Sequence, residues 1–379
     1  MYRWNYSVGY LVLFGLGTYL LFLLFLGQPQ NNFQKVNEKM TSVPARTTEN
    51  LSNATQPNVV LDCIENASFA KNENVLILPD HIKDFLKYRH CKSFPLLRET
   101  PKKCGGPEQS DKVFLLLAIK SSPKNYARRE AIRKTWGGER IYEGVQIQRL
   151  FILGVTSDQK QKKKLQHLLS IESEENGDIL QWDFYDTFFN LTLKQVLFHE
   201  WLEQNCPHVK FLLNGDDDVF VNSDAVVQYL LGLNGNNGDK HLFVGQLVKT
   251  VYLERDKSSK YYVPEIVASQ QSYPPYCAGG GFLLSGFTAR QIYKASLNIT
   301  LLPIDDIYIG MCLERAGLSP ESHISIKTGG LSVPSDSMDS FDPCFYKDML
   351  LVHRFLSYEM IVMWKAIHDP TLECGISVI

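Results

Sequence analysis

Three consecutive carboxylates close the run Phe211-Leu212-Leu213-Asn214-Gly215-Asp216-Asp217-Asp218-Val219-Phe220. The apolar residues before them read as a buried strand, and open α/β sheets bind ligands beyond the carboxyl ends of such strands. Alternate residues of an extended chain share a face, so Asp216 and Asp218 are expected to point together and Asp217 to point away. Carboxylates held side by side repel unless a cation lies between them, and a divalent metal with oxygen ligands suits that role. A metal there could hold a diphosphate and stabilise it as a leaving group. Three rival readings use the same residue types. A solvated acidic turn has this composition. A calcium loop needs further spaced oxygen ligands and a distal Glu, and no EF-hand pattern is present. A phosphatase with an aspartyl nucleophile also carries Asp-x-Asp after an apolar strand. It favours Thr or Val two positions past the second Asp, where this chain has Phe220.

A second acidic pair lies in Pro303-Ile304-Asp305-Asp306-Ile307-Tyr308-Ile309-Gly310. It reads as the start of a helix, where Asp serves as a cap and meets the positive end of the macrodipole. The same dipole keeps a carboxylate ionised and ready to accept a proton. In a sugar transfer with inversion, one carboxylate deprotonates the acceptor hydroxyl while a metal holds the departing nucleotide. Two acidic sites far apart in sequence fit that division of labour.

The segments that must position these residues alternate in pattern. Short apolar runs at 113–119, 149–155, 179–184 and 209–213 read as strands. The stretches 125–136, 159–174 and 192–205 between them read as helices, the last with Thr192 as its cap. The basic run 160–164 reads as a solvated helix face. Strand–helix alternation of this kind means an α/β domain with a largely parallel sheet. At 379 residues, 44% hydrophobic and 21% charged, the chain can bury a substantial core and is not wholly disordered. A net charge of −2, from 39 basic and 41 acidic residues, argues against a nucleic-acid binder. A single long apolar run excludes a polytopic membrane protein.

That run sets the compartment. No charged residue lies between Arg3 and Lys35, and 8–26 is almost continuously apolar. Its length suits a spanning helix, at ~1.5 Å per residue across a ~30 Å core. A cleaved signal peptide is the alternative, but no small-x-small cleavage site follows Leu26. The expected organisation is a cytosolic tail at 1–7, a transmembrane signal anchor at 8–26, a flexible stem at 27–60 and a lumenal domain at 61–379. Arg3 before the span gives type II orientation. All eight cysteines follow the span, none in a CxxC pattern, which suggests disulfides rather than zinc. Four lumenal sequons, at Asn53, Asn66, Asn190 and Asn298, are candidate glycosylation sites.

At the acidic motifs and around them the chain resembles the β-1,3-glycosyltransferases of the Golgi, inverting enzymes with a GT-A (Rossmann-like) fold. The strings that carry the resemblance are Arg128-Arg129-Glu130-Ala131-Ile132-Arg133-Lys134-Thr135-Trp136-Gly137 and Asp183-Phe184-Tyr185-Asp186-Thr187-Phe188-Phe189-Asn190-Leu191-Thr192-Leu193-Lys194. They continue with 214–220, Tyr273-Pro274-Pro275-Tyr276-Cys277-Ala278-Gly279-Gly280-Gly281-Phe282 and 305–310, in order across roughly residues 85–365. The segment 85–97, Gly245-Gln246 and Phe341-Asp342-Pro343-Cys344-Phe345-Tyr346 resemble the β-1,3-N-acetylglucosaminyltransferase branch rather than the galactosyltransferases.

The resemblance implies roles. Asp218 is the direct metal ligand, with His353 of Leu351-Val352-His353-Arg354 completing the coordination of Mn2+. Asp216 lies nearer the ribose, and Asp217, Lys120, Arg128 and Arg133 are further candidates for nucleotide contact. Gly280 and Gly281 line the sugar pocket, where a missing Cβ permits close approach. Asp306 is the catalytic base. Asp305 stands where many relatives carry Glu. The implied donor is UDP-GlcNAc and the acceptor is the 3-hydroxyl of a terminal β-galactose on O-glycan core 1 or lactosamine-type chains. A β-1,3-galactosyltransferase and a catalytically silent lumenal sugar-binding protein remain alternatives. Implied partners are the Golgi membrane through one span and oligomers with itself or other glycosyltransferases. With that fold, Cys104 and Cys206 precede neighbouring strands and are expected to pair, as are Cys63 with Cys91 and Cys277 with Cys312.

Overall fold

The computed structural model describes residues 63–69, 73–329 and 340–375. The tail, anchor and stem, with Asn53, lie outside the described residues. Among the described residues no helix is long and apolar enough to cross a membrane.

In chain order the elements are α1 (Asp80–Tyr88), β1 (Leu96–Arg98), β2 (Val113–Lys120), α2 (Tyr126–Arg133), β3 (Arg140–Tyr142), β4 (Val145–Val155), α3 (Gln159–Asn176) and β5 (Ile179–Tyr185). Next come α4 (Leu191–Asn205), β6 (Phe211–Asp216), β7 (Val219–Val221), α5 (Ser223–Leu231), β8 (Phe243–Gly245), β9 (Leu247–Val248), β10 (Tyr276–Cys277), β11 (Gly281–Ser285) and α6 (Gly286–Ser296). The last are α7 (Asp305–Arg315), β12 (Glu321–Ser322), β13 (Ile326–Lys327), α8 (Pro343–Lys347), β14 (Leu351–His353) and α9 (Ser357–Ile367). The main sheet runs β1-β5-β4-β2-β6-β11-β8-β12, with β3 paired to β4. Its central strands β5, β4, β2 and β6 are parallel, as the alternating pattern predicts. β11 then inserts antiparallel between β6 and β8, an extension the pattern did not show. A small sheet β13-β14-β7 stands beside it.

Strand parity divides the core. Leu116 and Ala118 of β2 and Leu212 of β6 pack with Leu197 of α4, Ile292 of α6 and Tyr308 of α7. Leu115, Leu117 and Ile119 of β2 and Leu213 of β6 pack with Ile132 of α2, Val226 of α5 and Met363 of α9. Both faces are covered by helices, so β2 reads as one apolar run without polar alternation. Lys120 and Asp216 end the first parity series and Ser121 and Asp217 continue the second, which decides what each can reach.

Three disulfides form: Cys63–Cys91, Cys104–Cys206 and Cys344–Cys374. Cys104 and Cys206 lie ahead of β2 and β6, which pair in register from Leu115 opposite Phe211. Cys277 and Cys312 are both buried free thiols, which corrects the expected bond between them. Burial pushes each thiol up to about 12, so both stay protonated. Thr192 also departs from expectation. It lies within α4 and its hydroxyl donates to Leu302 O (2.6 Å), while Asn190 occupies the cap position.

Candidate active site

Lys120 and Asp216 stand directly opposite each other in the β2–β6 register, on the face that α7 covers. α7 starts at Asp305, so three charged side chains converge. Lys120 Nζ is 2.7 Å from Asp305 Oδ2 and 3.1 Å from Asp216 Oδ1. Burial alone would lower the Lys120 pKa, but the charges of Asp216 and Asp305 outweigh it and hold the ammonium charged. The same ammonium overcomes the effect of burial on Asp305 and keeps that carboxyl below its usual range. Lys120 is thus committed to two carboxylates of its own chain.

Asp306 has a different environment. It makes no ion pair among the described residues. Its Oδ1 accepts from Ile307 N (2.8 Å) and its Oδ2 from Gly279 N (2.9 Å). Burial, reinforced by the Asp305 charge, pushes it up to about 7. A carboxylate poised there can take a proton near neutral pH.

Asp217 turns to the opposite face. Its Oδ2 accepts from Ser121 Oγ (2.6 Å) and Asn125 Nδ2 (2.8 Å), and its Oδ1 from Arg128 Nη1 (2.7 Å). Parity predicts this direction. The additional expectation of nucleotide contact is corrected, because the carboxylate is buried and used inside the fold. Arg128 is only partly buried and its Nη1 also reaches Asp218 Oδ2 at 3.4 Å, which keeps it beside the cluster.

Asp218 occupies the tight turn between β6 and β7. β14 pairs antiparallel with β7, placing His353 opposite Val219. Backbone N–H groups of Arg354 and Phe355 both donate to Asp218 O, at 2.9 and 2.8 Å. Arg354 adopts φ 76°, a left-handed conformation that is costly for a side-chain-bearing residue and is seen here at the site itself. His353 Nδ1 lies 3.1 Å from Thr328 O and Nε2 lies 3.1 Å from Asp218 Oδ1. With Nδ1–H donated to that carbonyl, Nε2 is the atom left to face a cation. One ligand atom from each of Asp216, Asp218 and His353 fits within a 4.8 Å span. Two carboxylates and an imidazole form a donor set that could hold a divalent metal.

Gly280 backs this group. Its φ is 110°, and a Cβ there would meet His353 Nδ1 at 2.9 Å. Its carbonyl accepts from Asp216 N (2.9 Å), and its neighbour Gly279 donates to Asp306. Gly281 pairs with Gly215, where an added Cβ would meet Leu351. The glycine segment therefore joins the two acidic sites as well as bordering them.

Arg133 is brought elsewhere, which corrects its expected place at the nucleotide. Its guanidinium is engaged by Asp178, Glu130 and Glu172, each at 2.8 Å. It belongs to a buried network that also holds Arg129 on Glu172 and Arg149 on Asp178. Sequence reasoning missed this network and the buried pair Lys194–Asp186 (2.8 Å). The available signal was the presence of Arg129, Asp186 and Lys194 inside the resembling strings. Of the sequons, Asn66 and Asn298 are exposed. The Ser68 hydroxyl bonds Asn66 Oδ1 at 2.7 Å, while Asn190 is half-buried and its Nδ2 donates to Tyr185 O.

The mixed α/β sheet gathers carboxylates beyond its strand ends. Residues 127–323 match the galactosyltransferase family, and the chain belongs to it. It is 49% identical over 364 residues to human N-acetyllactosaminide β-1,3-N-acetylglucosaminyltransferase 3, covering 95% of this chain and 94% of that protein. It is 50% identical over 314 residues to human acetylgalactosaminyl-O-glycosyl-glycoprotein β-1,3-N-acetylglucosaminyltransferase, covering 82% and 80%. Similarity to rat UDP-GlcNAc:betaGal β-1,3-N-acetylglucosaminyltransferase 7 is 42% over 321 residues, covering 84% and 79%. These relatives place the chain in the β-1,3-N-acetylglucosaminyltransferase branch.

Proposed function

We propose that this protein transfers N-acetylglucosamine from UDP-GlcNAc to the 3-hydroxyl of a terminal β-galactose, on core 1 O-glycans or lactosamine-type chains, with inversion. The observation that carries the mechanism is the contrast between neighbours: Lys120 pairs directly with Asp305, while Asp306 has no ion pair among the described residues and is pushed up to about 7 by burial and the Asp305 charge, against the weaker pull of Lys120. The names of the relatives support the donor and acceptor. Asp216, Asp218 and His353 would hold Mn2+. When bound, the metal would neutralise charge on the departing UDP. Arg128, beside Asp218, orients the diphosphate through its exposed edge. Asp306, fixed by Gly279 N and Ile307 N, takes the acceptor hydroxyl proton as the new bond forms on the opposite face of the sugar. Gly279 to Gly281 keep the space between the two carboxylate sites free of side chains.

The apolar run at 8–26 supports a single-pass type II protein of the Golgi membrane, with a stem at 27–60 and the catalytic domain from 61 in the lumen. The galactosyltransferase description of the family keeps a UDP-Gal donor as a second reading. The test is UDP release by the full chain with Mn2+, UDP-GlcNAc or UDP-Gal, and a core 1 or lactosamine acceptor. Acceptor-dependent, EDTA-sensitive turnover with UDP-GlcNAc is expected. Turnover with UDP-Gal alone overturns the donor. No turnover with any pair supports a silent sugar-binding protein.

A further inference from the structure

Ser121 follows Lys120 at the end of β2 and is buried, with 4% exposure. All its hydrogen-bonding groups are used, each by a different element. Its N–H donates to Ile152 O of β4 (3.1 Å). Its carbonyl accepts from Lys194 Nζ of α4 (2.7 Å). Its hydroxyl donates to Asp217 Oδ2 (2.6 Å) and accepts from Arg129 Nη1 of α2 (3.1 Å). Both cations are themselves fixed. Lys194 pairs with Asp186, and Arg129 forks onto Glu172 at 2.7 and 2.6 Å. Ser121 is therefore held from four sides by the sheet and the buried ion network.

Asp217 lies between Asp216 and Asp218 in a two-residue turn. Its carboxylate is seated on Ser121, Asn125 and Arg128, and Arg128 Nη1 also reaches Asp218 Oδ2 at 3.4 Å, so the seat of Asp217 is coupled to Asp218. Removing a donor leaves a buried carboxylate short of a partner, and the turn can relax by rotating. That rotation would carry Asp218 with it.

We propose that Ser121 and Asn125 are positioning residues for the metal-binding carboxylates, acting through Asp217, which anchors the acidic turn. The inference rests on the reading of Asp216, Asp218 and His353 as Mn2+ ligands. It also gives the buried charges around Ser121 a function: they fix the residue on which the turn is seated. Removing a direct outer-shell partner of a metal ligand generally costs about 10–100-fold in affinity or activity, and Ser121 and Asn125, one residue further out, are expected at the low end of that range.

The test is a titration of the full chain with Mn2+ alone, following free Mn2+ by electron paramagnetic resonance, for wild type, Ser121→Ala, Asn125→Ala and Asp218→Ala. Thermal unfolding without metal is measured on the same samples. Wild type should bind, Asp218→Ala should not, and the two positioning variants should bind about tenfold or more weakly. In turnover, their Mn2+ activation constants should rise by the same factor as their dissociation constants. A merely structural role would lower unfolding temperature without moving either constant. Wild-type affinity in both variants overturns the inference and leaves the metal site standing. Absence of Mn2+ binding by wild type overturns the metal reading and the inference with it. If Ser121→Ala fails to fold, Asn125→Ala decides, because Asn125 is only half-buried and outside the ion network.

Discussion

The two acidic motifs, Asp216-Asp217-Asp218 and Asp305-Asp306, are built on one plan and end with different chemistry. In each, one carboxylate is consumed inside the fold: Asp217 by Ser121, Asn125 and Arg128, and Asp305 by Lys120. In the first motif the carboxylates left over meet basic side chains. Asp216 touches Lys120, and Asp218 touches Arg128 and His353. Burial would raise Asp218, but without a metal the His353 hydrogen bond, with the charges of His353 and Arg128, holds it below the usual carboxylate range. In the second motif the remaining carboxylate meets two backbone N–H groups and a like charge, and rises to about 7. Identical side chains thus become a cation-binding group in one place and a proton acceptor in the other. What differs is the charge placed beside them.

The strongest test of that contrast is Asp306→Asn. Asn keeps the shape of the side chain and one acceptor oxygen for the Gly279 or the Ile307 N–H group, but it cannot take a proton. Transfer should fall about 10²–10⁴-fold, read as kcat, while UDP–Mn2+ binding persists. Loss of both would mean the two sites are not separate. Asp218→Asn should act on metal binding first, with turnover lost as a consequence. Mn2+ affinity, followed by titration, should fall about 100-fold or more, beyond the usual outer-shell effect. Lys120→Met should leave Asp216 and Asp305 facing each other without a cation. The expected cost is about 3–5 kcal/mol of stability, measured by denaturant unfolding. A neutral result would show that the Lys120 bridge does not hold the halves together.

The pH profile sharpens the comparison further. Asp306 accepts a proton only when ionised, so kcat should decline as pH falls below about 7. Asp305→Asn removes the neighbouring negative charge. It should lower the Asp306 pKa and shift the acid limb to lower pH, and a limb that stays in place would separate Asp306 from the limiting step. The smallest expected effect is that of Cys277→Ser. The thiol forms no disulfide, so non-reducing peptide mapping should return the same three bonds as wild type.

Residue order alone made much of this legible. The four central strands, the helix starting at Asp305 and the opposed directions of Asp216 and Asp217 all follow from apolar runs and parity. The Cys104–Cys206 bond follows once β2 and β6 are neighbours. Arg133, at the end of α2, departs from expectation because a basic residue has the same local pattern whether it meets a ligand or a buried carboxylate. Only the partner distinguishes the two cases, and Asp178 is distant in sequence. Cys277 and Cys312 fail for a similar reason, since two buried thiols give no local sign of whether their Cβ vectors meet.

The sequence by itself determined the α/β frame, the carboxylate pairs at its functional end and the family to which the chain belongs. Strand periodicity and short-range turn chemistry are local properties and can be read from residue order. Tertiary structure decided which carboxylate of each group is neutralised, which remains free, and that Ser121 is the point on which the acidic turn rests. Those outcomes depend on charges brought together from β2, α2, α4, β6 and α7, and the strength of such contacts is set by separation and burial in space.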